Sequence, residues 1–187
     1  MYKALIFSAP SGSGKTTIVK SLLERISGLE FSISATSRAS RGDEKDGRDY
    51  YFMSGEEFML RVEEGEFLEW EEVYSGIYYG TLRAEIKRIW DREHTVIFDI
   101  DVMGGMNLKK LFGDDALSIF VMPPSLEALR KRLISRGTDS PEAIEKRMAK
   151  AATELEVADS FDKVIINDSL EEAVSETEKV IINFLKK

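Results

Sequence analysis

Short apolar runs, each about the length of one strand, recur along this chain of 187 residues, separated by longer stretches with helical spacing of apolar positions. The runs predict strands at about 3–8, 31–34, 95–100, 116–121 and 163–166. Two of them, Thr95-Val96-Ile97-Phe98 and Lys163-Val164-Ile165-Ile166, are dense in β-branched residues, as strands covered on both faces should be. The intervening periodicity predicts helices at 15–27, 81–92, 125–136, 141–158 and 170–186. Their starts carry chemical signals. Ser125 follows Pro123-Pro124, Ser140 precedes Pro141, and Ser169 has Glu172 three residues on; each arrangement suits the unpaired N–H groups of a first helical turn. Strand and helix in alternation predict an α/β fold: a five-stranded parallel sheet flanked by helices, in a single domain.

Residues 36–80 break that rhythm. Aromatic and charged residues mix there, with glycines at 42, 47, 55, 65, 76 and 80, and Ser54-Gly55-Glu56-Glu57 resembles a capping box opening one short helix at about 54–64. The rest reads as short antiparallel strands, so this stretch is expected to be an inserted subdomain. A second insertion is expected at 125–158, where two helices meet at Arg136-Gly137-Thr138-Asp139-Ser140.

Composition narrows the class. Apolar residues make up 43% of the chain, and no run approaches the ~20 residues that cross a bilayer. There is no basic, apolar, small-residue leader, and the absence of cysteine excludes disulfides, thiolate metal sites and a cysteine nucleophile. A cytoplasmic location is the expectation. The net charge of −8 weighs against a nucleic-acid partner, which wants a basic face, and neither a membrane nor an obligatory protein partner is signalled. An acidic chain that handles phosphates must gather its arginines locally. Three places do so: Arg38/Arg41, Arg130/Arg132/Arg136 and Arg147.

The sharpest signal is the junction where the first strand runs into Ala9-Pro10-Ser11-Gly12-Ser13-Gly14-Lys15-Thr16-Thr17. Strand, small-residue loop and helix in that order give a G-x-x-x-x-G-K-[ST] phosphate loop its structural context. Glycines let backbone N–H groups turn inward around a phosphate, and the positive end of the helix dipole points at it. Lys15 can bridge β- and γ-phosphates, and the Thr16 hydroxyl can ligate Mg²⁺. Ala9 stands where the first glycine is expected, but Pro10 restricts residue 9 to an extended, negative-φ conformation that alanine tolerates.

A second site lies at Phe98-Asp99-Ile100-Asp101, where a hydrophobic strand ends. Residues two apart share a strand face, and ligands of open α/β sheets bind at the carboxyl ends of the strands. Asp99 thus matches the position that holds Mg²⁺ through water. Arg132 and Arg136 are four apart and share a helix face. Other features have plain readings: the glutamates between 56 and 72 are a solvated acidic surface, Tyr50, Tyr51, Tyr78 and Tyr79 are strand aromatics, and His94 is a loop residue.

Ser34-Ala35-Thr36-Ser37-Arg38-Ala39-Ser40-Arg41-Gly42, Gly47-Arg48-Asp49-Tyr50-Tyr51-Phe52, Glu66-Phe67-Leu68-Glu69-Trp70 and Tyr78-Tyr79-Gly80-Thr81 together resemble the guanylate kinase family. The likeness continues in family order through Phe98–Asp101, Arg132-Leu133-Ile134-Ser135-Arg136-Gly137-Thr138, Lys146-Arg147 and Ile166-Asn167-Asp168. It implies Mg²⁺-dependent transfer of a phosphoryl group from ATP to GMP, with dGMP as the deoxy alternative. It implies a core at about 1–33, 82–124 and 159–187, a GMP-binding subdomain at about 34–81 and a lid at about 125–158. Arg38, Arg41, Tyr50 and Tyr79 would hold the GMP phosphate, while Ser34, Glu69, Thr81 and Asp101 would read guanine. Arg132, Arg136 and Arg147 would reach the ATP phosphates and the transferring group with Lys15, and Asn167 would lie near the adenine. The family often has proline where Ser40 stands, which bears on the stiffness of that loop.

The chemistry suits those roles. Guanine presents N1–H and N2–H₂ donors along one edge, which a carboxylate accepts in a forked pair, whereas the N1 acceptor of adenine repels it. Arginine forks bind a phosphate monoester in a bidentate manner. A protein-interaction module of similar sequence would lack Gly14-Lys15-Thr16 and the lid arginines; a kinase for AMP or a sugar phosphate would not need Glu69 together with Asp101.

Overall fold

The computed structural model describes residues 3–135, 137 and 139–186. Along the chain, β1 (Ala4–Ser8) leads through α1 (Lys15–Arg25) to β2 (Leu29–Phe31). Then come β3 (Ala35–Thr36), β4 (Tyr51–Phe52), α2 (Gly55–Glu63), β5 (Phe67–Tyr74) and β6 (Ile77–Leu82). They are followed by α3 (Arg83–Trp90), β7 (Thr95–Asp99), α4 (Val102–Phe112) and β8 (Ala116–Met122). The chain closes with α5 (Leu126–Ser135), α6 (Pro141–Glu156), β9 (Lys163–Ile166) and α7 (Leu170–Leu185).

Five strands form the main sheet in the order β2-β7-β1-β8-β9, every pair parallel. Every residue of central β1 is buried, and its side chains alternate between two cores. Leu5 and Phe7 pack with Ile18, Leu22, Ile119 and Ile181 on one face; Ala4 and Ile6 pack with Ile86, Ile89, Phe98 and Leu108 on the other. Cutting any of these large side chains to alanine should cost about 2–5 kcal/mol.

Four features depart from the sequence reading. The strand expected at 31–34 is β2 at 29–31, because residues 32–34 already leave the main sheet for the four-stranded one. The run at 163–166 is an edge strand rather than one covered on both faces: Lys163 is exposed and Ile166 is 57% exposed. A helix, α4, follows Asp101 where none was expected, because Gly104-Gly105 lowers the local propensity. Packing overrides that cost. A Cβ on Gly105 would lie 2.3 Å from Ser8 Oγ, so only glycine lets α4 approach β1 this closely. The Asp101 side chain caps the helix by accepting from the Gly104 N–H at 2.8 Å.

The insertion between β2 and α3 carries its own sheet, in the order β4-β3-β6-β5. Its β3–β4 pair is parallel, not antiparallel as expected, because the long excursion from 37 to 50 returns the chain in the same direction. Ala35, Phe58, Phe67 and Leu82 form its small core, and Ser54 caps α2 through the Glu57 N–H at 3.0 Å. The other insertion is a hairpin of α5 and α6 that buries Leu129, Leu133, Ile144 and Ala151 between the two helices. No helix of the described residues is long and apolar enough to cross a membrane.

Candidate active site

Buried β1 delivers the chain into a loop whose shape rests on two glycines, Gly12 at φ +99° and Gly14 at φ +89°. A Cβ on Gly14 would also meet Asn167 Nδ2 at 2.3 Å. Among the described non-glycine residues only Glu93 has positive φ, so Ala9 takes the conformation that Pro10 imposes and alanine accepts. The Ser13 N–H donates to the Pro10 carbonyl at 3.1 Å, folding the loop back on itself. Helix α1 then starts without an acidic residue in its first turn and without a side-chain cap among the described residues. Its N–H groups and dipole are left facing the loop, the arrangement that favours an anion.

Asp99, at the carboxyl end of β7, joins the first two residues of that helix. The Lys15 ammonium lies 2.5 Å from one carboxylate oxygen, and the Thr16 hydroxyl donates to the other at 2.7 Å. Lys15 also donates to the Ile100 carbonyl at 2.6 Å. Arg147 reaches across from α6 to donate to Ser11 Oγ at 2.7 Å and pairs with Asp139 at 3.1 Å. Beneath the loop, Asn167 Nδ2 donates to the Ser13 carbonyl at 2.7 Å, and Arg132 donates to the Asn167 carbonyl at 2.8 Å. The hydroxyl of Ser13 is buried without a partner among the described residues.

The four-stranded sheet supplies the facing wall. Arg38 is 9% exposed and sits over the Tyr50 ring at 4.7 Å. Its Nε donates to the Tyr79 hydroxyl at 3.0 Å, while its two amino groups take both oxygens of Glu44 at 2.6 and 2.8 Å. Glu44 accepts the Arg41 N–H as well, at 2.8 Å. On β5 and β6, Glu69 stands opposite Thr81, whose hydroxyl donates to it at 2.7 Å. Burial pushes the Glu69 carboxyl up to about 7; the Thr81 hydrogen bond opposes the rise, and the negative charges of Asp101 and Glu71 add to it.

These two walls and the end of the main sheet enclose a cavity of about 600 Å³, a usual size for a small-molecule site. Loop residues 9–16, Ser34, Arg41, Tyr50, Glu69, Tyr79, Asp99, Asp101 and Arg147 line it. Arg38 and Thr81 stand one bond behind, on Tyr79 and Glu69. Arg132 and Asn167 brace the loop from below, and Thr17 is exposed on α1 away from the lining. Arg136 lies outside the described residues. Sequence reasoning passed over Glu71, Lys146 and Glu154, which line the cavity too, and Glu44. Glu71 had a readable signal: it is two residues on from Glu69 and therefore on the same strand face.

A phosphate loop at the end of a parallel sheet, opposed by a second sheet bearing arginines and a buried carboxylate, defines a phosphate-loop kinase that acts on a nucleotide. The sequence model of the guanylate kinase family matches residues 1–183. The chain is 56% identical over 185 residues to the guanylate kinase of Bacteroides thetaiotaomicron, covering 99% of this chain and 91% of that protein. It is 53% identical to that of Porphyromonas gingivalis, with both chains covered completely. The crystal structure of guanylate kinase from Anaplasma phagocytophilum superposes with a TM-score of 0.79 at 31% identity, covering 97% of this chain and 85% of that one. The chain belongs to the guanylate kinase family, enzymes that transfer a phosphoryl group from ATP to GMP.

Proposed function

We propose that the loop side of the cavity holds ATP and the four-stranded sheet holds GMP, so that one phosphoryl group passes directly between them to give ADP and GDP. A single observation carries this division: the same cavity joins a phosphate loop to the buried Glu69–Thr81 pair. Residues 34–81 then act as the GMP-binding subdomain and 125–158 as the lid. Glu69 accepts the N1–H and N2–H donors of guanine, with Thr81, Ser34 and Asp101 around the base. Arg41, Tyr50 and Tyr79 take the GMP phosphate, together with the one Arg38 donor that Glu44, Tyr79 and the Ala39 carbonyl do not take.

The GMP phosphate is already an oxyanion, so no general base is needed. One of its oxygens forms a bond to the γ-phosphorus of ATP as the bond to the bridging oxygen breaks, and ADP leaves with that electron pair. Catalysis consists of aligning two polyanions and offsetting their charge. Lys15 leaves Asp99 for the β- and γ-phosphates, and Arg147 follows from α6. Arg132 braces Asn167 and the loop, and Arg136 completes the lid set by resemblance. The Thr16 hydroxyl and Asp99 carboxylate are adjacent hard oxygen donors, the set that suits Mg²⁺. When bound there, Mg²⁺ supplies further charge neutralisation at the ATP phosphates. Nucleic acid and membrane have no part in this reading, and a cytoplasmic place of work fits the cysteine-free sequence.

Coupled measurement of ADP formation with GMP, dGMP, AMP, CMP and UMP tests it. Turnover should be confined to the guanine nucleotides; comparable rates with AMP would overturn the assignment of Glu69.

A further inference from the structure

Two stretches of chain connect the main sheet to the four-stranded one: residues 32–34 leaving β2, and the junction of β6 with α3 at Leu82–Arg83. Glu85 lies just past the second connection, with its side chain 1% exposed. One of its carboxylate oxygens accepts the backbone N–H of Ile33, on the first connection, at 3.0 Å and Arg88 Nη2 at 2.9 Å. The other accepts the Tyr51 hydroxyl, on β4, at 3.0 Å and Arg88 Nε at 2.9 Å. Arg88 in turn is paired with Glu30 on β2, which also receives Arg92 at 3.1 Å and His94 at 2.8 Å.

A lone carboxylate this deeply covered would be driven toward its neutral form. Burial does push the Glu85 carboxyl up, but hydrogen bonds from Arg88, Ile33 and Tyr51 outweigh it and hold the group below the usual carboxylate range. The group is therefore an ionised, four-bonded node that ties both connections and β4 to α3. Its partners are the immediate neighbours of cavity residues: Ile33 precedes Ser34, and Tyr51 follows Tyr50. Displacing either segment by an ångström would displace a group that meets the acceptor nucleotide.

We propose that Glu85 is a positioning residue for the acceptor: it pins the four-stranded sheet against the main sheet and thereby sets the affinity for GMP without touching it. This rests on the assignment of GMP to that sheet.

The test uses the full-length enzyme. Glu85→Gln keeps the volume but turns an amide NH₂ toward two donors that need an acceptor. The KM for GMP should rise about 5- to 20-fold while the KM for ATP stays within about twofold. Amide exchange should quicken at Ile33 and in β4 while β1 and β8 keep their protection. Tyr51→Phe, which removes a single hydroxyl, should raise the GMP KM in the same sense but less, and the double variant should show less than the sum. A lowered Tm with unchanged GMP KM, or an equal rise for ATP, would reduce Glu85 to a purely structural residue and overturn the proposal. If Glu85→Gln does not fold, an unchanged GMP KM in Tyr51→Phe overturns it instead. Glu69→Gln separates the two levels. If it raises the GMP KM and Glu85→Gln does not, only the pin is wrong; if Glu69→Gln has no effect, the acceptor wall and the pin fall together.

Discussion

On the loop side of the cavity, side-chain pairs such as Lys15–Asp99 are joined by several contacts to main-chain oxygens: Lys15 on Ile100, Arg132 and Asn167 on the loop and its neighbour. On the sheet side they lean mainly on one another, Arg38 on Glu44 and Tyr79, Thr81 on Glu69, with Arg38 reaching a single main-chain oxygen, that of Ala39. Main-chain partners persist whatever the sequence and offer a generic phosphate cradle. Side-chain partners can be chosen singly, so the sheet side can distinguish one base from another, and it is correspondingly easier to damage with a single substitution.

The most severe test of that contrast strikes Lys15, the loop side chain proposed to act on the transferred group. Lys15→Ala should lower kcat by about 10²- to 10³-fold, the usual loss for a charge-stabilising donor, while circular dichroism and Tm stay near those of the parent. A variant keeping more than about a tenth of kcat would strip Lys15 of its role.

Next in size is the sheet side. Glu69→Ala should cost about 1.5–3 kcal/mol in all, because water entering the vacated space takes up part of the forked pair, so kcat/KM for GMP should fall about 10- to 150-fold. Calorimetric titration should show ATP affinity unchanged. Equal losses for both nucleotides would erase the distinction between the walls.

Acidity discriminates further. With its carboxyl pushed up to about 7, Glu69 in its proposed role would have to lose a proton before accepting both guanine donors. Affinity should therefore fall by up to about tenfold per unit below pH 7. Guanosine is the cleaner ligand here, since it lacks the phosphate that titrates in the same range. Folding stability should run the other way. The folded-state value lies above the unfolded 4.5, so the native protein holds more protons between pH 4.5 and 7, and this group's contribution declines as pH rises through that window. Glu69→Gln should flatten both slopes; an unaltered guanosine profile would mean that another group titrates.

The smallest expected effect is at Glu44. Glu44→Gln keeps one acceptor for Arg38 but turns an amide NH₂ toward its other donor; with Glu44 26% exposed, water can take up that donor, so the GMP KM should rise only about two- to fivefold with ATP unaffected. A shift in ATP KM instead would show that the walls are coupled through more than their shared substrate complex.

The five parallel strands were legible because each is a short apolar run, and in four of them the boundaries moved by at most a single residue. Local pattern failed where distant contacts decide. Asp101 and the Lys109-Lys110 turn before Gly113 do mark the ends of α4, but Gly104-Gly105 between them argues against a helix, and the reason for Gly105 is the proximity of Ser8 on a strand almost a hundred residues earlier. The edge position of β9 depends on strand order, which composition does not encode. At the site, the phosphate loop and Asp99 could be read from spacing, whereas the sheet-side residues needed the family resemblance. Their nearness arises from cross-strand register, Glu69 opposite Thr81 and Glu71 opposite Tyr79, and from ion pairs such as Arg38–Glu44 that no periodicity foretells.

The contact between Gly105 and Ser8 also constrains how this sequence can change over generations. Alanine at 105 is disfavoured while the serine oxygen sits 2.3 Å from the would-be Cβ, since overpacking of that kind costs about 1–3 kcal/mol. Loss of the hydroxyl at position 8 removes the obstructing atom but gives up its 3.0 Å bond to the Asp101 carbonyl. The two substitutions are thus coupled: alanine at 105 is costlier while the serine hydroxyl is present than after it has gone. Glycine at 105 is therefore favoured for as long as position 8 keeps its serine, an epistatic link between two residues that do not line the cavity and lie far apart in sequence.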